Sequence, residues 1–251
     1  MIIAVGSWRG TGATTAALLA ATCLAATAEQ GAWLLEADPA GGVLAGRMQW
    51  PTHAIGGLER VAFPSERGTV TEAFEAVTTA VGGLRIVGAP ADPFRAFACH
   101  QPRMPWVPSL RDLAGPVVVD VGTLRAGTPV GPVLAQADVV VLVSSPEISA
   151  AVSAAEWLQA GGRVSPADPV LPESKARLAF VASPGGIAFQ RGTLLSELGD
   201  QCVGWLPWEP ATVDLVHRGA AVTDRRLRRS ALIAAVDQMV GTLTRQQGAR
   251  Q

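Results

Sequence analysis

Short apolar runs alternate with longer stretches of mixed pattern along this chain. Runs at Ile2–Val5, Trp33–Glu36, Leu84–Val87, Val117–Val121, Val139–Ser144, Leu178–Ala182 and Val203–Leu206 predict seven strands. Several are apolar at consecutive positions, the pattern of parallel strands buried on both faces. Helical stretches are expected between them at Ala13–Ala28, Val70–Ala80, Pro129–Gln136, Ile148–Gln159, Thr193–Gly199 and Ser230–Leu243. The last of these sets Leu232, Val236, Met239, Val240 and Leu243 on one face, with Ser230 placed to cap it. Alternating strands and helices define an α/β protein, a doubly wound, mainly parallel sheet with helices on both faces. Such sheets bind ligands beyond the carboxyl ends of their strands. The Pro-rich stretch from Ala89 to Pro116 is expected as a long irregular surface connection, and Gly161 to Pro172 as a second loop. No internal repeat or domain boundary stands out, so residues 1–251 are expected to form a single domain.

Composition narrows the function classes. At 49% hydrophobic and 16% charged, the chain is not of the disordered class. A net charge of −1 removes any global basic field for nucleic acid. Cys23, Cys99 and Cys202 lie far apart with no CxxC pair, which excludes a disulfide framework or zinc knuckle and makes a reducing cytoplasm the default. The N-terminus enters a strand at once, without a basic segment ahead of an apolar one, so no signal peptide is expected. No apolar run reaches the roughly 18 residues that span a bilayer, and no transmembrane segment is expected. His53, His100 and His217 share no ligand spacing, and Cys99-His100 alone makes no metal site. The basic residues are 19 Arg and a single lysine, Lys175.

The most informative segment is the loop after the first strand, Gly6-Ser7-Trp8-Arg9-Gly10-Thr11-Gly12-Ala13-Thr14-Thr15. A strand leads into a glycine-containing loop and then a helix, where backbone N–H groups and a helix N-terminus can cradle a phosphate. Gly10 and Gly12 permit positive φ and close backbone approach. Thr14 and Thr15 set hydroxyls in the first helical turn, within reach of Mg²⁺ or an α-phosphate.

Here the sequence resembles the MinD/ParA family of P-loop ATPases (SIMIBI class), whose deviant Walker A loop reads K-G-G-x-G-K-T-T. Gly10, Gly12, Thr14 and Thr15 match, and both lysines are missing. The phosphate-gripping lysine falls on Ala13, and the signature lysine that reaches across a dimer falls on Trp8, with Arg9 beside it. The resemblance continues through Glu36-Ala37-Asp38-Pro39, like the D-x-D-P end of the family's second strand. It includes Val117–Gly122, like the Walker B strand, and Ser144-Ser145-Pro146-Glu147, like its Pro-Glu turn. Gly204-Trp205-Leu206-Pro207-Trp208-Glu209-Pro210 is similar to the segment beside the adenine. The resemblance implies that Arg9, Gly10, Thr11, Gly12, Ala13, Thr14, Thr15 and Pro207 bind nucleotide. It implies that Asp38 orients water, that Thr14 and Asp120 hold Mg²⁺, and that the ligand is Mg-ATP. The adenine-reading Asn of the family is replaced within Ala182-Ser183-Pro184-Gly185-Gly186, which departs from adenine specificity.

Each of these residues also has a plain structural reading. The glycines serve any tight βα turn, Asp38 can close an Asx turn, and both aspartates can be relics with structural partners. An indole at Trp8 suits a partner chain or a base, or else packs over the neighbouring loop. Trp205 reads as core and Trp208 as facing base or solvent. Arg225, Arg226, Arg228 and Arg229 form the one basic cluster, suited to DNA or membrane phosphates or simply to water. The resemblance then implies a bacterial cytoplasmic protein, homodimeric, with a degenerate loop. It acts as a scaffold or positioning factor for a pilus, secretion or partition system, at the inner membrane only through a partner. The alternative is a working, dimerising Mg-ATPase in which Arg9 compensates for the lysine, with DNA binding through the arginine cluster.

Overall fold

The computed structural model describes residues 1–50, 57–64, 68–182, 187–220 and 224–248. In chain order the elements are β1 (Ile2–Ser7), α1 (Ala13–Thr27), β2 (Ala32–Glu36), α2 (Leu44–Arg47), α3 (Gly57–Ala62), α4 (Val70–Val77), β3 (Thr79–Val81) and β4 (Leu84–Val87). Then come α5 (Pro93–Ala98), α6 (Trp106–Ser109), β5 (Val117–Thr123), α7 (Gly131–Gln136), β6 (Val139–Ser144) and α8 (Ile148–Gln159). The chain finishes through β7 (Ala176–Ala182), α9 (Arg191–Leu198), β8 (Cys202–Pro207), α10 (Pro210–His217) and α11 (Ala231–Gly248). Among the described residues the strands form one sheet in the order β3-β4-β2-β5-β1-β6-β7-β8. Every pairing is parallel except β3 with β4. The doubly wound sheet expected from the pattern is present, and each of the seven predicted strands is found.

The all-apolar strands divide their side chains between two cores. Ile3, Val5, Leu34, Val118 and Val141 face α1 and α11. Trp33, Leu35, Val119, Val140 and Leu142 face the opposite layer with α3, α4, α6 and α8. Ser230 caps α11 as the sequence suggests, its Oγ accepting the Ile233 amide at 3.1 Å.

Two expectations are corrected, and one helix is added. The helix expected over Val70–Ala80 stops at Val77, because Gly82 (φ 54°) and Gly83 (φ 84°) turn Thr79–Val81 back along β4. Two left-handed residues in a two-residue loop are the turn that matches strand twist. The stretch from Ala89 to Pro116 is not an irregular surface connection. Asp92 caps α5 by accepting the Arg95 amide at 2.9 Å, Arg95 pairs with Glu59 of α3, and Ala96, Cys99, Trp106 and Leu110 are buried. Its prolines start or flank short helices instead of excluding them. Finally, Pro210 begins α10, a helix the pattern did not predict. The loop expected from Gly161 to Pro172 carries no helix or strand.

Candidate functional site

β1 ends in the centre of the sheet, and its loop crosses the carboxyl ends of β5 and β6. The Trp8 amide donates to the Val143 carbonyl at 3.0 Å, and the Thr11 hydroxyl donates to the same carbonyl at 2.6 Å. Arg9, Gly10 and Gly12 all have positive φ (61°, 73° and 99°). Only glycine adopts that region freely, so the loop's shape is set by the two glycines the sequence singled out. α1 then begins at Ala13, whose methyl group is buried.

The two threonines of the first turn diverge. Thr15 lines a cleft on one side of the loop. Thr14 sits against Asp120 on the other, where its hydroxyl favours the carboxylate's charged form. Asp120 is fully buried on β5, in register with Val5 of β1 and Glu36 of β2. One oxygen, Oδ1, accepts the Gly122 amide at 3.0 Å, and Oδ2 has no hydrogen-bond partner among the described residues. Burial, with added repulsion from Glu36 and Asp38, pushes its pKa up to about 7.

Asp38 lies just beyond β2. Its Oδ1 accepts the Ala40 amide at 2.8 Å, and its carboxyl rests on Gly122, where a Cβ would fall 2.1 Å from Asp38 Cγ. Burial raises its pKa as well. Glu36 is the residue the sequence reading passed over. It is buried, with Oε1 accepting the Val43 and Leu44 amides at 2.6 and 2.8 Å and Oε2 accepting the Ala89 amide at 3.1 Å. It pins two loops beside the site. An acidic residue closing an otherwise apolar strand was the available signal.

These residues fit a divalent ion only in company. Mg²⁺ asks for six oxygens, and Thr14 with the orphaned Asp120 Oδ2 offers two. The rest would have to come from phosphates and water. Among the described residues no group of three or more His, Cys, Asp or Glu could hold a metal by itself.

The cations are elsewhere. Arg9 reaches the start of α8, its Nη1 donating to Ser149 Oγ at 3.4 Å and its charge acting on Glu147, the cap of that helix. Lys175 donates to the Ala137 carbonyl at 2.9 Å, just ahead of β6 and so at the opposite end of the sheet. Trp8 is half-buried against the core, so the packed alternative holds and its indole is not a free contact. Trp205 packs beside Phe180 at 6.0 Å, and Trp208 is exposed at the cleft.

Between the loop and the end of β8 lies a cleft of about 540 Å³. Gly10, Thr11, Gly12, Thr15 and Pro207 line it, whereas Arg9, Ala13 and Thr14 do not. Arg225, Arg226, Arg228 and Arg229 are exposed before α11, and Arg226 is engaged with Asp224 at 2.8 Å. His53 and the segment 183–186 lie outside the described residues.

The architecture is that of a P-loop NTPase, with a glycine loop at the head of α1 and carboxylates closing the flanking strands. No family model matches the chain, and no curated protein matches it in sequence. Solved structures do share the fold. A ParA family ATPase from Chlorobium tepidum superposes with a TM-score of 0.75 at 15% identity, over 95% of this chain and 96% of that one. The septum site-determining protein MinD of Pyrococcus horikoshii, complexed with Mg-ADP, gives 0.72 at 14% identity, over 100% and 99%. MinD in the MinC:MinD cell division complex of Aquifex aeolicus gives 0.64 at 15%, over 97% and 95%. The fold is therefore that of the MinD and ParA ATPases. No helix among the described residues is long and apolar enough to cross a membrane.

Proposed function

We propose that residues 1–251 form a single domain of this architecture that has lost useful ATP turnover and serves as a scaffold or positioning factor. One observation carries the reading: among the described residues no Lys or Arg lines the cleft at the phosphate loop. The position that aligns with the gripping lysine is the buried methyl of Ala13, Arg9 is drawn to Ser149, and Lys175 is occupied at the far end of the sheet. A charge-assisted hydrogen bond contributes roughly 1.5–3 kcal/mol net to binding. Losing one preorganised donor to transition-state charge costs about 10²–10³ in rate. Glu36, Asp38 and Asp120 lie beside the loop, and burial raises the pKa of each.

The partner is a bacterial machine of the pilus, secretion or partition type, met by a homodimer in the cytoplasm and at the inner membrane only through that partner. The existence of a MinC-bound MinD with this fold supports a partner-docking role. Mg-ATP remains the ligand class to test, because a MinD of the same fold binds Mg-ADP. The competing reading is a working, dimerising ATPase with Arg9 in the lysine's place. The Arg9 contact with Ser149 weighs against it. DNA binding through Arg225, Arg226, Arg228 and Arg229 would show as a steep salt dependence lost on Arg→Ala changes.

The test is phosphate release and calorimetric titration with Mg-ATP, wild type beside Ala13→Lys. We expect no turnover in the wild type and a roughly 10- to 150-fold gain in ATP affinity in Ala13→Lys, the range of one charge-assisted bond. Wild-type turnover abolished by Asp38→Ala and by Arg9→Ala would replace this reading with the competing one.

A further inference from the structure

One side of α11 is packed and the other is bare. Leu232, Val236, Met239, Val240 and Leu243 are buried on its inner side, and its outer side borders an open groove of about 980 Å³. Met1, just ahead of β1, and Pro116, just ahead of β5, line that groove, so it lies at the amino ends of the strands. The glycine loop is at the opposite end of the sheet. Leu24 of α1 and Leu113 give the groove an apolar part, and the charged side chains that line it are one acid and one base, Asp237 and Arg245.

Gly241 sits in the interior of α11, the longest helix among the described residues. Glycine weakens a helix there relative to alanine. Nothing within the chain requires it. Its φ lies outside the left-handed region, and a Cβ built on it would meet only the tip of the Arg245 side chain, at 3.4 Å. Missing bulk with no internal cause points to a backbone that approaches from outside. Asp237 and Arg245 stand about one turn to either side of Gly241, about 12 Å apart along the axis. Arg245 donates to the Thr242 hydroxyl at 3.2 Å, and neither residue has an ion-pair partner among the described residues.

We propose that α11 pairs antiparallel with the α11 of a second copy of this chain, about a two-fold axis at Gly241. Such an axis sets each residue before 241 against the partner's residue the same number of places after it. Asp237 then meets the partner's Arg245, Gln238 meets the partner's Thr244, and Ala234 meets the partner's Gly248. The pairs are opposite in charge, polar or small, and none sets like charges together. These positions recur at three- and four-residue steps, the spacing of a helix-packing seam, over about 22 Å of helix. The two glycines at the axis let the backbones approach closely. The inference rests on the homodimer of the preceding section and assigns its interface. Because that interface lies at the far end of the sheet from the glycine loop, the dimer forms without nucleotide.

The experiment is sedimentation equilibrium of the full chain, with and without Mg-ATP. A dimer of the same affinity is expected in both. Arg245→Asp and Asp237→Arg each set like charges against one another twice per dimer, and each should weaken association by about ten-fold or more. The two changes combined in one chain restore opposite pairing and should recover the dimer. Gly241→Leu should separate the copies, and circular dichroism checks that each variant is folded. A wild-type monomer, a dimer that needs Mg-ATP, single charge changes without effect, or a double exchange that recovers nothing overturns the proposal. Phosphate release from the same samples reports separately on whether the loop turns over ATP.

Discussion

Replacing Asp120 by Asn isolates the site's most exposed weakness. The Asp120 carboxyl is fully buried, takes the Gly122 amide beside the Thr14 hydroxyl, and leaves Oδ2 without a hydrogen-bond partner among the described residues. Its pKa is raised from 3.8 to about 7, chiefly by burial. A carboxyl whose folded pKa lies above its unfolded value binds more protons when folded. Its contribution is complete below about pH 4 and is lost as pH rises toward about 7. At 1.36 kcal/mol per unit, the roughly three-unit shift sets a ceiling of about 4 kcal/mol. Asn keeps an oxygen for the Gly122 amide and carries no charge to desolvate. The assay is urea unfolding of both proteins at pH 4.5, 6 and 8 in metal-free buffer. His100, whose pKa burial lowers to about 4, loses stability in the opposite direction as pH falls, and it cancels in the difference between the two proteins. Asp120→Asn should gain on the wild type as pH rises, by about 2–4 kcal/mol between pH 4.5 and 8. A difference that stays flat across that range would mean the carboxylate is compensated by something other than its proton, and the reasoning fails.

Two further predictions bear on the frame around the site. Gly122→Ala places a Cβ 2.1 Å from Asp38 Cγ at a residue with φ 67°. It should cost about 2 kcal/mol or more in urea unfolding, and an unchanged midpoint would show that Asp38 does not rest there. Trp106→Ala should cost about 3–5 kcal/mol, because the indole is buried and donates to the Cys99 carbonyl at 2.8 Å. A loss under about 1 kcal/mol would return the segment before β5 to the status of a surface loop.

Seven of the eight strands were legible because each is an apolar run, and burial leaves that pattern no competitor; β3, three partly exposed residues, was read as the end of a helix. Helices of three or more turns were legible for the same reason. What the periodicity missed was short. α2, α3, α5 and α6 span four to six residues each, too few for a 3.6-residue repeat to declare itself. Their signals were local and chemical: Asp92-Pro93 as cap and first turn, Glu209-Pro210 before α10, and Gly82-Gly83 between two apolar runs. The loop at Gly10–Thr15 was found from its glycines and threonines between a strand and a helix, and the carboxylates Asp38 and Asp120 through the family resemblance. Glu36 was not, because a buried acid at a strand end looks like a neighbour of Asp38 until its three amide partners come together from separate loops.

The loop keeps its shape without its lysine because no part of that shape depends on one. Gly10 and Gly12 supply the left-handed turns, and Thr11 ties the loop to Val143 by a neutral bond. Beside the loop, each carboxylate of the acid cluster is handled separately. Glu36 is satisfied by three backbone amides and Asp38 by the Ala40 amide. Asp120 has one backbone amide, the Thr14 hydroxyl beside it and an Oδ2 without a hydrogen-bond partner among the described residues, and burial draws its pKa up toward neutral. Burial at this position therefore shows in the protonation state of Asp120 and not in the shape of the loop.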